Sequence, residues 1–148
     1  MRSVAAVALV VSLLAAGPAA AAPRADPPGR MKAVVRAWSA RLNAGDNRGI
    51  AALFRLPAVV IQGQYAYRLT TPRQVEIWHA ALPCSGRIVS ITVRGRFATA
   101  VFRLGDRPAS KCDAPGSLAA ARFGIVRGKI VSWEQVPVPA ASARGPVA

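Results

Sequence analysis

The chain has 148 residues, with 20 Lys and Arg, nearly all of them Arg, against 6 Asp and Glu. That length fits one domain with a single core, and one His with two Cys gives too few ligands for a zinc site. The basic residues are scattered rather than blocked and few aromatics lie between them, which argues against a nucleic-acid module.

Residues 1–21 read as a secretory signal. Arg2 precedes an uncharged run from Val4, and small residues at Ala19-Ala20-Ala21 form the cleavage site. The apolar core is shorter than the roughly 20 residues a spanning helix needs, so no integral membrane segment is expected after cleavage. Removing 21 of 148 residues leaves 127, and the expected location is secreted or extracytoplasmic, in the cell envelope. In that compartment Cys84 and Cys112 are expected to pair, closing a 28-residue loop worth roughly 3 kcal/mol. Neither a metal nor a cofactor is called for.

Residues 22–29, with three prolines, read as a flexible lead-in. Met31, Val34, Val35, Trp38 and Leu42 then recur at helical spacing. Ala44-Gly45 ends that helix, and Asp46 caps a short second one expected to bury Ile50, Leu53 and Phe54 before Pro57 stops it. Pro57 to Thr70 is rich in β-formers and reads as two short strands, or a strand and a ribbon. Thr71-Pro72-Arg73-Gln74 is a capping box opening a third helix, whose buried stripe is Val75, Trp78, His79 and Leu82.

The C-terminal half reads as strands. Arg87–Arg94 and Phe97–Leu104 flank Gly95-Arg96, a type II′ hairpin turn. That register sets Val89, Ile91 and Val93 opposite Phe102, Ala100 and Ala98 on one apolar face, and brings Cys84 near Arg107. A second hairpin turns at Arg127-Gly128, where a three-residue loop would pair Phe123 with Trp133 and Arg122 with Glu134. The domain is placed at 30–137, and the tail 138–148 is expected to be disordered.

This order of elements resembles the nuclear transport factor 2-like superfamily, which includes ketosteroid isomerases and the polyketide-cyclase-like (SnoaL-like) proteins. Trp38-Ser39-Ala40-Arg41-Leu42-Asn43-Ala44-Gly45-Asp46 with Ile50-Ala51-Ala52-Leu53-Phe54 looks like the opening helix pair. Gly128-Lys129-Ile130-Val131-Ser132-Trp133-Glu134 looks like the last hairpin. The resemblance implies an α+β fold: a curved antiparallel sheet and three helices from the N-terminal half, enclosing a cone-shaped apolar pocket. It also implies a possible homodimer through the sheet.

By the same resemblance the isomerase tyrosine falls on Trp38 and the acidic base near Gln62. Indole is no acid at neutral pH and an amide takes no proton, and no Asp or Glu lies between Asp46 and Glu76. The expected function is therefore a non-catalytic domain binding a small apolar ligand or a partner. Its expected pocket is formed by Trp38, Gln62, Tyr65, Trp78, His79, Phe102, Trp133 and Gln135. A second reading is a secreted hydrolase, dehydratase or isomerase using His79 and Glu134 as acid and base. A third is Arg-mediated adhesion to anionic envelope components.

Overall fold

In the computed structural model, residues 25–143 are described; residues 1–24, with the expected signal sequence at 1–21, and residues 144–148 lie outside them. The first helix, α1 (Pro28–Asn43), buries the expected stripe from Met31 to Leu42, together with Ser39. The lead-in is tied down at its end, because Asp26 accepts the Gly128 N–H and pairs with Arg30. Gly45 turns the chain at φ 72°, and Asp46 accepts the Gly49 N–H to cap α2 (Asn47–Ala51).

Phe54 corrects the sequence reading. It opens the strand β1 (Phe54–Gln62) instead of closing α2, and stays buried there. An apolar run this short suits either element, and tertiary pairing decides. A turn at Gly63 leads into β2 (Tyr65–Leu69), antiparallel to β1. Thr71 and Gln74 form the capping box of α3 (Pro72–Ala80).

Four strands follow: β3 (Ser85–Arg94), β4 (Phe97–Gly105), β5 (Leu118–Val126) and β6 (Lys129–Val136). The six strands form one curved, unclosed sheet in the order β2-β1-β6-β5-β4-β3. It is not antiparallel throughout, since β1 runs parallel to β6. That pairing joins segments some 70 residues apart, and no local pattern announces it.

Two registers differ from expectation at bulges. Ile91, Thr92 and Val93 pair with Ala100, Thr99 and Ala98 as read, but a shift between Ser90 and Ile88 puts Ile88 opposite Phe102. Val89 is left out of the ladder and is 47% exposed. The last hairpin does pair Phe123 with Trp133 and Arg122 with Glu134. It reaches that register through a two-residue turn, with Arg127 and Gly128 both at positive φ, and a shift further along the ladder. Such extra residues bend strands, so they curve this sheet.

Helix α1 packs against β3 and β4, and α3 against α2 and β2. In the expected tail, Ala140–Ala143 form one helical turn, α4.

Candidate functional site

Side chains on successive strand residues point to opposite faces, so the inner face can be listed from one buried row. Ala98, Phe123 and Trp133 form a cross-strand row, and Ala100, Ala121 and Gln135 the next. Phe102 and Ala119 form the third. The first row is filled by aromatic rings. The other two hold alanines where a packed core would carry branched residues, and they leave a hollow.

That hollow is a cavity of about 320 Å³, a size suited to a small molecule. Trp38 and Leu42 of α1, Phe102 and Leu104 of β4, and Trp133 of β6 supply its apolar wall. Gln62, at the end of β1, and Gln135 add neutral amides, while Cys84, Asp113 and Ala114 border it from the disulfide loop. Asp113 is its only carboxylate, and it is exposed.

Five of the eight pocket residues expected from sequence line this cavity: Trp38, Gln62, Phe102, Trp133 and Gln135. Tyr65 does not. It is 61% exposed on the edge strand and stacks on Tyr67. Trp78 packs edge-on against Trp133 and lines a separate surface groove beside β2.

His79 lies behind the cavity wall, fully buried, with Trp38 standing between. The Trp38 indole N–H donates to His79 Nε2 at 2.9 Å, and Nδ1 lies 2.8 Å from the Val75 carbonyl. This network assigns the proton to Nδ1 and leaves Nε2 as an occupied acceptor. Burial pushes the imidazole pKa down to about 4, against the opposing pull of the Val75 carbonyl, and the Arg107 charge lowers it further. Glu134 is elsewhere. It follows the inward Trp133, points to the outer face, and binds Arg122 through Nε and Nη2. The fold thus does not bring the two acid–base candidates together.

Sequence reading missed Arg107. Its guanidinium, buried at 8% exposure, donates to the carbonyls of His79 and Leu82 at the end of α3, and to Asn47 of α2. It reinforces the end of α3, where the His79 carbonyl also accepts the Leu82 N–H. The run Leu118-Ala119-Ala120-Ala121 was the available sign of the hollow, because strands seldom favour Ala.

Cys84 and Cys112 form a disulfide. The bridge pins the loop after β4 to the start of β3, beside the cavity.

No family model and no curated protein matches the sequence. Solved structures do match in shape. A protein of unknown function from Cytophaga hutchinsonii, described as nuclear transport factor 2-like, superimposes with a TM-score of 0.59 at 8% identity, over 76% of this chain and 94% of its own. A candidate polyketide cyclase from Sinorhizobium meliloti gives 0.58 at 18% identity, over 72% and 98%. A candidate ketosteroid isomerase from Kribbella flavida gives 0.57 at 16% identity, over 80% and 92%. The chain has the nuclear transport factor 2-like fold.

At these identities the likeness establishes shape and leaves chemistry to the site. In this domain, Trp38 and Gln62 stand on the cavity where the isomerase resemblance put a tyrosine and an acid. Both are neutral. The buried indole N–H of Trp133 has no hydrogen-bond partner among the described residues.

Proposed function

We propose that this is an exported, non-catalytic binding domain whose cavity takes a small, largely apolar ligand. One observation carries the reading: the cavity is walled by Trp38, Phe102, Trp133 and a row of alanines, and its one ionisable side chain, Asp113, is exposed to solvent. A proton-transfer site needs a titratable group within reach of the ligand. The only imidazole has both ring nitrogens engaged and lies behind Trp38. The disulfide is compatible with an extracytoplasmic protein, and no helix among the described residues is long and apolar enough to cross a membrane.

The polar groups suggest what the ligand carries. Gln62 and Gln135 can each donate or accept, and the Trp133 N–H lacks an acceptor. A ligand with one carbonyl oxygen on an otherwise apolar frame matches that set.

Tryptophan fluorescence, titrated with 2-acetylnaphthalene and with its oxygen-free isostere 2-isopropenylnaphthalene, tests this. Both are expected to bind saturably, the ketone several-fold more tightly, and Ala119→Leu should abolish both by filling the hollow. Binding that survives Ala119→Leu, or no saturable binding of either compound, would refute the cavity as a ligand site. Equal affinities would refute the carbonyl requirement alone.

A further inference from the structure

The sheet's other face carries a different pattern. Phe97, Thr99 and Arg103 alternate with the inward Ala98, Ala100 and Phe102, so they point outward. Cross-strand pairing puts Arg94, Thr92 and Arg87 beside them on β3. Arg94 sits opposite Phe97, Thr92 opposite Thr99, and Arg87 opposite Arg103. The outer surface of β3 and β4 is therefore a strip with arginines at each end; between them lie the hydroxyls of Ser90, Thr92 and Thr99, the buried Val101 and the exposed Val89. The residues from Arg87 to Arg94 extend over about 20 Å.

At the Phe97 end, Arg96 and Arg122 lie over the aromatic ring, their guanidinium carbons 5.2 Å and 5.4 Å from its centroid. Arg87, Arg94, Arg96 and Arg103 are all exposed.

Carboxylates are distributed otherwise. Of the six in the whole sequence, four pair with basic residues away from this strip: Asp26 with Arg30, Asp46 with Arg41, Glu76 with Arg73 and Asp106 with Lys111. Glu134 neutralises Arg122. No ion pair among the described residues involves Arg87, Arg94, Arg96 or Arg103. Like charges directly opposite on neighbouring strands destabilise a sheet, and Arg87 faces Arg103 with no acid between them. An anion from outside would relieve that repulsion.

We propose that the outer strip of β3 and β4 is a docking track for an extended acidic polysaccharide. Guanidinium groups at both ends fit carboxylate or sulfate groups spaced along a chain. Thr92 and Thr99 offer hydroxyl partners to sugar hydroxyls. A nucleic acid would want a series of aromatic platforms for its bases, and the one aromatic ring of this strip, Phe97, already lies under Arg96 and Arg122. A bilayer would want a continuous apolar face between the charges, where this strip exposes one aliphatic side chain, Val89, among Ser90, Thr92 and Thr99. A second copy of the chain on the same face would oppose Arg87, Arg94 and Arg103 with their equivalents.

The test is a binding titration of the purified protein with polygalacturonate and with heparin, at 50 to 200 mM sodium chloride. Neutral dextran, phosphatidylglycerol vesicles and a single-stranded DNA oligomer are run in parallel. At least one acidic polysaccharide should bind with an affinity that falls steeply with salt, while dextran does not bind. The triple variant Arg87→Gln, Arg94→Gln, Arg103→Gln should weaken that binding at least tenfold and keep the native circular dichroism spectrum. Lys32→Gln, Arg36→Gln, Arg48→Gln, which removes the same charge from the helical side, should change it less than twofold. Should the strip variant misfold, the single variant Arg94→Glu replaces it, with at least a threefold loss expected.

Equal losses in the two variant sets would overturn the proposal, because net charge alone would then explain binding. Absence of binding to both polysaccharides at 50 mM salt would overturn it too, as would tighter binding of vesicles or DNA.

Discussion

Burying an imidazole is least costly when it is neutral and both nitrogens are satisfied, and His79 meets both conditions. Its folded pKa of about 4 lies below the free value of 6.5. Above pH 6.5 the group is neutral in both states, and its full contribution is present. As pH falls from 6.5 toward 4, the unfolded chain takes up a proton that the folded chain refuses, so stability drops by roughly 3 kcal/mol across that window. Thermal melts at pH 7 and 4.5 should show a loss for the native protein that is roughly 2 kcal/mol larger than for His79→Gln. Equal slopes in the two proteins would mean that His79 is not the group responsible. Trp38→Phe removes the donor to Nε2 and should cost about 1–2 kcal/mol at neutral pH, read from urea unfolding. His79 was visible in the sequence as one member of a helical stripe. Its pairing with Trp38 was not, because 41 residues separate the two.

At the scale of elements, local chemistry was the most readable. Asp46 and Thr71 cap the helices that their positions announced, since a cap depends on residues within one turn. Thr71→Ala should therefore cost about 1 kcal/mol, measured as a lowered urea midpoint with an unchanged slope. The turns were readable in place but less so in type. Arg127 and Gly128 both hold positive φ, where only glycine is unstrained. Gly128→Val should destabilise by roughly 1–2 kcal/mol, while Arg127→Gly should leave stability equal or raise it. The bulge at Val89 escaped prediction for a physical reason. An alternating apolar strand reads the same with or without one extra residue, and only the neighbouring strand's register reveals it.

Across the whole molecule, a disulfide and a buried arginine hold the cavity's border in place. Cys84–Cys112 closes a loop of 28 residues, and replacing both with serine should cost roughly 3 kcal/mol by the chain-entropy argument. Urea melts of that variant and of the reduced native protein should coincide; if both match the oxidised protein, the bridge contributes nothing. Arg107 fastens the same loop to the end of α3. Arg107→Met should destabilise more than any exposed arginine change, by about 1–3 kcal/mol, because it takes the donor from the buried Leu82 carbonyl.

The sequence by itself determined the helices with their caps and buried stripes, the two hairpins of the C-terminal half and the absence of a carboxylate on β1. Each of these follows from periodicity, turn chemistry or composition within a few residues. The tertiary structure alone decided the parallel pairing of β1 with β6, the opposite destinations of His79 and Glu134, and the alanine-lined hollow. All three depend on which distant strands meet and in what register, and the free energy of that choice is spread over the entire sheet.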